Sequence, residues 1–311
     1  MKNKALFYFC IKIFVSAILI RWLVQKIGSV SIIKNMSLCS VKTVAFTFIS
    51  LWLCYALSAW RWCYIVQKGE SGHFSFINSA RIVAIANFLN QGLPGSIGGD
   101  VYRGFALTRF GFSKSWSIQS LFLDRMFGLV FMSVMGLFAL ISFDWDLMQK
   151  PECMMLILIM LAIVCGFTLF CQLDRIRLPE YVTSKVAFLC NMTKVSRQFF
   201  GAKDILFMIT GFMVMFFLYF PVYLFAVDLG YKLSLTAILF VMPMVFLLSS
   251  LPISFAGWGV RETTFITLFG LFGLPNDQAL TLSVMYGLVS LFSVMPGLLV
   301  YLFAEKANAS A

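Results

Sequence analysis

The sequence has few charged residues and a single histidine, and these shortages exclude several classes of protein. Charged residues make up 12% of the 311 residues, about half of what a soluble domain carries. A hydrophobic fraction of 61% and a mean hydropathy of +0.92 indicate an integral membrane protein. The one histidine, His73, is too little for Ser–His catalysis or for a metal site with two histidines. We therefore expect no metal, no cofactor and no catalytic residue, and we do not predict an enzyme.

Disulfide, nucleotide-binding and nucleic-acid-binding patterns are also missing. The eight cysteines form no C-x-x-C pair and lie mostly in apolar segments, as small buried side chains do. The run GSIGGD resembles a phosphate loop, but no G-K-[ST] follows, which excludes a P-loop NTPase. The net charge of +11 lies mainly between apolar runs, where it orients a membrane protein. No nucleic-acid partner is expected.

Apolar runs long enough to cross a bilayer, which takes about 20 residues, are the main feature present. The polar stretch between two of them, 173–203, is too short for a sizeable soluble domain, so we predict one membrane domain over 1–311. Trp60, Arg61 and Trp62 are predicted to form an interfacial belt at the end of the second run. The predicted spanning helices are 5–24, 44–65, 116–142, 153–172, 204–228 and 279–303.

Two apolar segments broken by proline and glycine repeat each other. Residues 88–103 read FLNQGLPGSIGGDVYR, and residues 246–261 read FLLSSLPISFAGWGVR. They share seven of sixteen positions, and an arginine follows the proline by nine residues in both copies, which argues against chance. In a membrane protein, broken segments at matching places in two halves indicate the binding site of a transporter.

The repeats lie within two regions, 77–111 and 235–272, that are each interrupted near the middle by Leu-Pro. An arm of about 16 residues rises about 24 Å, which spans a bilayer core only marginally. The first arm also carries polar residues, among them Arg81 and Asn90, that are unsuited to face lipid. We predict two helical hairpins buried in the bundle. The alternative is that each region crosses the membrane once as a kinked helix.

Loop charges favour the hairpins. With the N-terminus in the cytoplasm, hairpins place the basic loop 173–203 inside and the acidic loop 143–152 outside, as the positive-inside rule requires. Single crossings reverse both loops, although loop 25–43, with three lysines, fits the hairpins poorly. The prediction is an all-α polytopic membrane protein with six spanning helices and two inverted hairpins that meet near the midplane. The two repeats cover 77–142 and 235–303, and both termini are expected to be cytoplasmic.

The hairpin tips are the predicted binding site. Pro94 and Pro252 should end the incoming arms, and Ser96 and Ser254 should cap the outgoing arms. Free N–H groups at helix starts, with glycines that allow close approach, suit a phosphate or a carboxylate. The alternative is that the glycines only allow close helix packing. The candidate headgroup-binding glycines are Gly95, Gly98, Gly99, Gly257 and Gly259.

Charged residues follow both tips and occur within the third predicted span. Arg103 and Arg261 are predicted to contact the headgroup, because a guanidinium binds phosphate oxygens through two hydrogen bonds. The alternative is a set of structural ion pairs that lock the hairpins to the bundle. Asp100 could pair with Arg103 on its own arm, whereas Asp124 and Arg125, being adjacent, each need a partner on another element. The predicted supporting charges are Asp100, Asp124, Arg125 and Glu262.

The order of the motifs resembles a known family. LPGSIGGDVYRGFALTRFG, LFLDRMFGL and LPISFAGWGVRE, followed by Pro296-Gly297, resemble the transmembrane domain of lysylphosphatidylglycerol synthases and their stand-alone, flippase-like relatives. The resemblance covers about 40–303. It implies a domain that moves aminoacylated phosphatidylglycerol between leaflets, while a separate soluble domain of the full synthases makes that lipid. We expect this chain to lack the soluble domain and to represent the translocase part alone.

Three functions are therefore open, and the first is favoured. It is translocation of an anionic or aminoacylated phospholipid, or of a polyprenyl-linked glycolipid, across the inner (cytoplasmic) membrane. The second is a non-transporting membrane partner of a lipid-modifying or glycan-assembly enzyme of the envelope. The third, a polyprenyl-phosphate-dependent glycosyltransferase, is disfavoured because the one acidic outer loop, 143–152, has only ten residues. The expected ligand is a membrane lipid; its identity, the direction of transport, the energy source and homo-oligomer formation are left open.

Overall fold

The structure is a computed structural model that describes residues 36–70, 72–92, 97–143, 148–175, 189, 191–250 and 258–309, and its regular elements there are all helical. The principal helices are α1 (Val41–Gly69), α2 (Phe76–Gly92), α3 (Ile97–Thr108), α4 (Lys114–Ala139), α5 (Pro151–Phe170), α6 (Ile205–Asp228), α7 (Leu235–Ser250), α8 (Val260–Gly270), α9 (Asn276–Ser293) and α10 (Met295–Ala309). Short 3-10 turns extend α4 to Ser142 and precede α6.

Five helical stretches in this part of the chain are long and apolar enough to cross a membrane. They are Val41–Gly69, Lys114–Ser142, Pro151–Phe170, Ala202–Asp228 and Asn276–Phe303. Each agrees within a few residues with a span predicted from the sequence. The sixth predicted span, 5–24, lies outside the described residues. The protein is thus an all-helical, multi-pass membrane protein.

Helices α1 and α6 run antiparallel and are tied together at both ends and in the middle. At the start of α1, the backbone N–H of Ser40 donates to the Asp228 carboxylate at 2.6 Å, and Asp228 ends α6. Near the centre, the Ser50 hydroxyl donates to the Phe217 carbonyl at 2.8 Å. At the other end, the Tyr64 hydroxyl donates to Asp204, just before α6. This pair forms a fixed frame against which the broken helices pack.

The two predicted breaks are present. Helix α2 ends at Gly92 and α3 begins at Ile97, and the two helices pack against each other. Helix α7 ends at Ser250 and α8 begins at Val260, and these also pack together. Each second helix then packs on the spanning helix that follows it, α3 on α4 and α8 on α9. Entry of the two pairs from opposite membrane faces, with tips at the midplane, stays a prediction.

The last predicted span is not one continuous helix. It breaks at Val294, between α9 and α10, because Pro296 has no N–H to donate to the carbonyl of Phe292. The N–H of Gly297 bonds to the Val294 carbonyl at 2.9 Å, which leaves the Ser293 carbonyl without its usual helical donor. The indole Nε1 of Trp52 donates to that carbonyl at 3.0 Å. A side chain from α1 therefore replaces the missing backbone bond.

The hairpin prediction assumed that the polar residues of α2 face the interior of the bundle, but not all of them do. Arg81 is exposed, whereas Asn87 and Asn90 are half-buried. Arg81 lies near the start of the helix, where a long side chain has access to polar surroundings. The polar side chains next to the break are thus partly buried as predicted, whereas Arg81 is not.

Candidate functional site

The predicted tip residues divide into those that the structure describes and those that it does not. Pro94, Gly95, Ser96, Pro252, Ser254 and Gly257 lie outside the described residues. Gly98 and Gly99 lie in the first turn of α3, directly after the first break. The predicted charged residues form two separate clusters, one after each break.

The first charge cluster joins α1, α3 and α4 and consists of Arg61, Asp100, Arg103, Asp124 and Arg125. Asp124 lies at its centre and is only 5% exposed. One carboxylate oxygen, Oδ1, accepts from Arg61 Nε at 3.0 Å and from Nη2 at 2.8 Å. The other, Oδ2, accepts from Arg103 Nη2 at 2.7 Å. One carboxylate thus binds two guanidinium groups from two different helices.

The first charge cluster continues toward the surface through Asp100. The Oδ2 atom of Asp100 accepts from Arg125 Nε and Nη2, both at 2.8 Å, and Oδ1 lies 3.4 Å from Arg103 Nη1. The local pair of Asp100 with Arg103 is therefore present, and Asp124 and Arg125 each find a partner on another helix, as predicted. The side chain of Arg125 is 48% exposed, whereas that of Arg61 is 5% exposed. The cluster therefore extends from the surface into the interior.

Arg61 was assigned wrongly from the sequence. The prediction placed it in an interfacial belt, but α1 continues to Gly69, so Arg61 lies more than two turns inside the helix. Trp62 is fully buried, and the guanidinium of Arg103 lies over its ring at 4.4 Å. The two residues therefore lie in the protein interior and do not face lipid, as residues of an interfacial belt would.

Hydrogen bonding is incomplete in the first charge cluster. The guanidinium groups of three arginines contact the carboxylates of Asp100 and Asp124. Two guanidinium nitrogens, Arg61 Nη1 and Arg103 Nε, are buried without a hydrogen-bond partner among the described residues. The indole Nε1 of Trp62 is buried and unpartnered in the same way. Unpaired buried donors are costly, so an acceptor is expected here.

The second charge cluster joins α8 and α9 and is balanced. Arg261 donates to Glu262 Oε1 through Nη2 at 2.7 Å and through Nε at 3.1 Å. The Ser283 hydroxyl lies 3.2 Å from the same oxygen and 3.3 Å from Arg261 Nε. The guanidinium of Arg261 also lies over the Trp258 ring at 4.5 Å. Both repeated arginines thus combine a carboxylate with a tryptophan. Among the described residues, however, buried guanidinium nitrogens without a partner occur in the first cluster and not in the second.

The start of α8 differs from the prediction. Ser254 was expected to cap the outgoing arm, but α8 begins at Val260 and its N-cap residue is Gly259. Gly259 has φ 87°, a conformation that favours glycine, and its N–H donates to the Glu262 carboxylate. Because Glu262 holds both this N–H and Arg261, it fixes the arginine relative to the break.

Glycines beside the clusters allow close helix approach. A Cβ added at Gly99 would lie 2.3 Å from the Ala86 carbonyl oxygen, and the Gly99 N–H donates to Asn90 Oδ1 at 2.8 Å. A Cβ at Gly287 would lie 2.1 Å from Arg261 Nη2. The packing alternative for Gly99 is therefore supported by direct contact, and Gly287 makes room for the second arginine.

An apolar cleft of about 210 Å³ lies between α1, α2 and the break between α9 and α10. Its walls include Trp52, Ala80, Val83 and Pro296, with Asn87 as a polar lining residue. The cleft therefore suits a hydrocarbon chain better than a charged group.

The protein belongs to the class of multi-pass helical membrane proteins. It has two broken helix pairs, and each is followed by an arginine–carboxylate cluster. Residues 9–297 match the family described as the lysylphosphatidylglycerol synthase TM region, and the chain belongs to that family. The resemblance predicted from the motifs is thereby confirmed. No match was found among the curated proteins. Family membership associates the chain with a function in membrane lipids.

Proposed function

We propose that the protein translocates a lipid across the inner (cytoplasmic) membrane. The lipid is an anionic or aminoacylated phospholipid, or a polyprenyl-linked glycolipid. The observation that carries the proposal is the first charge cluster, which brings three arginines together inside a membrane-spanning bundle. Among the described residues, Arg61 Nη1 and Arg103 Nε are buried there without an acceptor. Ionisable groups within a membrane are rare and commonly mark the path of a substrate.

The physical need for such a protein is the cost of moving a headgroup through hydrocarbon. A charged headgroup that crosses about 30 Å of bilayer core must lose its water, and an unpaired charge there is very unfavourable. The first charge cluster offers replacement donors from the exposed Arg125 to the buried Arg61. The proposal keeps Arg103 and Arg261 as headgroup contacts, one after each break. The lipid chains stay in the bilayer or in the apolar cleft.

Alternating access is proposed to come from the two repeats. Broken helices at matching positions in two inverted halves are a common basis for rocking one half against the other. The sequence repeat and the two helix pairs, α2–α3 and α7–α8, support this arrangement. The proposal includes no catalytic step. A separate lipid-modifying or glycan-assembly enzyme would supply or consume the lipid.

Transport can be tested with purified protein in liposomes. We expect the wild type to accelerate transbilayer movement of at least one lipid among phosphatidylglycerol, its lysyl ester and a polyprenyl-linked glycolipid. Arg103→Ala should lower that rate at least tenfold, because charge-assisted hydrogen bonds to a headgroup contribute about 1.5–3 kcal/mol each. The measurement is reduction of fluorescent lipid by an impermeant reagent.

Arg109→Gln is the matched control for this experiment. Arg109 is exposed at the end of α3 and lies over the Phe105 ring, outside the first charge cluster. The Arg109→Gln variant should transport lipid at the wild-type rate. If wild-type liposomes move all three lipids no faster than empty liposomes, the translocation proposal is wrong and a non-transporting partner role replaces it.

The proposed membrane orientation gives a separate prediction. With both termini cytoplasmic, Met148→Cys should react with an impermeant maleimide added outside cells, and Lys185→Cys should react only after permeabilisation. Labelling of position 185 from outside, with position 148 protected, would contradict the inverted repeat.

Native cysteines set the background of that labelling. Burial, together with the nearby Asp228, raises the pKa of Cys39 to about 12. Because the thiolate is the reactive form, Cys39 should label slowly near neutral pH. The comparison is therefore made against the chain without the added cysteine, and a signal specific to each new cysteine is required.

A further inference from the structure

We infer that α10 moves together with α2 as one unit, which tilts against the frame of α1 and α6 by bending the chain at Val294 and closing the apolar cleft. The motion follows from packing, whereas its use in transport rests on the proposed function. The unit joins a helix of the first repeat to the last helix of the second. The bodies that move therefore differ from the two sequence repeats.

Helix α10 is attached more firmly to α2 than to α9, the helix that precedes it in the chain. It packs mainly on α2. Gly297 is buried, and a Cβ added there would lie 2.2 Å from the Ala84 carbonyl oxygen and 3.1 Å from the Cβ atom of Phe88. Small residues allow backbones in membranes to approach this closely, and the packing they permit holds helix pairs together. The two helices should therefore keep their relative position.

Helix α9 is held by the frame instead. It packs on α1 and α6, as well as on α8. At its last residue, the Ser293 hydroxyl bonds to the Tyr55 hydroxyl at 2.8 Å, and the Ser293 carbonyl accepts from Trp52 Nε1 at 3.0 Å. Both partners belong to α1. The end of α9 is thus fixed to the frame immediately before the break.

The backbone between α9 and α10 is suited to bending. Pro296 has no N–H for the Phe292 carbonyl, and the Gly297 N–H bonds to Val294 in place of Ser293. Two consecutive helical hydrogen bonds are therefore missing at the junction. The side-chain bonds to Ser293 all lie on the α9 side, so they do not resist a change in the direction of α10.

The apolar cleft gives α2 room to move. Its volume is about 210 Å³, and it separates Val83 of α2 from Tyr55 of α1. Close-packed interiors leave few voids of this size. Nearer the start of α2, the Ser79 hydroxyl donates to the Ala59 carbonyl of α1 at 2.7 Å. Helix α2 is thus fixed at its start and loosely packed further on, so a tilt about Ser79 displaces the end at Gly92 most.

The tilt would open the first charge cluster at one bond. Helix α3 packs on α2 and carries Arg103, whereas Asp124 is on α4, which packs on α1 and α6. The 2.7 Å bond from Arg103 Nη2 to Asp124 Oδ2 therefore joins the moving unit to the frame. Arg61, on α1, stays with Asp124. Lengthening of the first bond would expose the cluster beside Arg103, where the proposed function requires a headgroup to enter.

Spin labels on the purified full-length protein in nanodiscs test the motion without a transport assay. One pair, at Ile77 and Phe303, joins α2 to α10, and the other, at Ile49 and Leu299, joins α1 to α10. All four side chains are exposed, so labels there should not disturb the packing. We expect electron spin resonance to give a narrow distance distribution for the first pair and a broad or two-peaked one for the second. Only the second pair spans the two bodies, and two populated positions give two distances.

Filling the cleft should hold the unit in one position. Ala56 lines the cleft from α1, and Ala56→Leu places three more carbon atoms there. We expect the Ile49–Leu299 distribution to narrow and lipid movement in liposomes to slow by about tenfold, because the opening step limits the rate. Ala162→Leu is the matched control, since Ala162 is exposed on α5 and does not line the cleft. It should match the wild type in both measurements, and melting temperatures check that both variants are folded.

Three results would overturn the inference. An Ile77–Phe303 distribution as broad as that of Ile49–Leu299 would show that α10 is not fixed to α2. Two equally narrow distributions in the wild type would show that no tilt occurs. A folded Ala56→Leu variant that moves lipid at the wild-type rate would show that access does not depend on the tilt. The expected distances in a protein that moves no lipid would instead refute the proposed function and leave the α2–α10 unit intact.

Discussion

Replacing Asp124 with asparagine should destabilise the protein by about 3–5 kcal/mol, which is the usual cost of removing one partner from a buried ion pair. Asp124 holds two guanidinium groups from two helices, Arg61 at 2.8 Å and Arg103 at 2.7 Å. Without the carboxylate, Arg61 would keep a buried charge with no counter-ion. We expect a large fall in the melting temperature of the detergent-purified variant and poor accumulation in membranes.

Two further variants test whether loss of the buried Asp124 charge causes the destabilisation. Glu152→Gln removes an exposed carboxylate in the first turn of α5 and should cost less than about 1 kcal/mol. Arg61→Met combined with Asp124→Leu removes Arg61 together with its carboxylate, but leaves Arg103 with Asp100 alone, at 3.4 Å. This double variant should recover part of the lost stability, because apolar replacements of buried pairs are often neutral. A melting temperature of Asp124→Asn equal to that of the wild type would show that the cluster is not a structural centre.

Gly99→Ala should separate α2 from α3 and destabilise the first broken pair by about 1–3 kcal/mol or more, the range for overpacked contacts. The new Cβ would lie 2.3 Å from the Ala86 carbonyl oxygen, which is backbone and cannot turn away. The Gly99 N–H would also lose its bond to Asn90 Oδ1. Differential scanning fluorimetry of the purified variant measures the effect.

The control for Gly99 is another glycine of the same helix. A Cβ at Gly104 would meet only the Cδ1 atom of Leu121, at 3.2 Å, and that side-chain end can move. Gly104→Ala should therefore melt close to the wild type. The experiment also separates the two roles considered for Gly99. A variant that melts normally but no longer binds lipid would favour headgroup approach over helix packing.

The spanning helices could be predicted because their signal is local. A run of about 20 apolar residues is sufficient to identify a span, and five of the predicted runs agree with helices of the structure. The breaks in the two repeats could also be predicted from the sequence, because proline disrupts a helix through its effect on adjacent residues. The break at Val294 was missed although Pro296 was present. A proline inside an apolar run does not always break a helix, as Pro221 within α6 shows.

The charge cluster was predictable only in part, because its contacts join distant segments. Sequence spacing could place Asp100 beside Arg103 on one helix face, and it could show that Asp124 needed a partner elsewhere. It could not show that this partner is Arg61, which lies 63 residues earlier. The tryptophans on either side of Arg61 favoured a boundary position, and only the continuation of α1 to Gly69 places the arginine inside.

Trp52 shows that tolerance to substitution does not follow exposure in this protein. Half of its surface is exposed, so a contact with lipid alone would permit any large apolar side chain. Its indole N–H, however, is the donor that satisfies the Ser293 carbonyl at the end of α9. Phenylalanine or leucine has no N–H and would leave the carbonyl without this donor, which is costly within a membrane-spanning bundle. The identity of this outward-facing residue is therefore restricted by the backbone behind it.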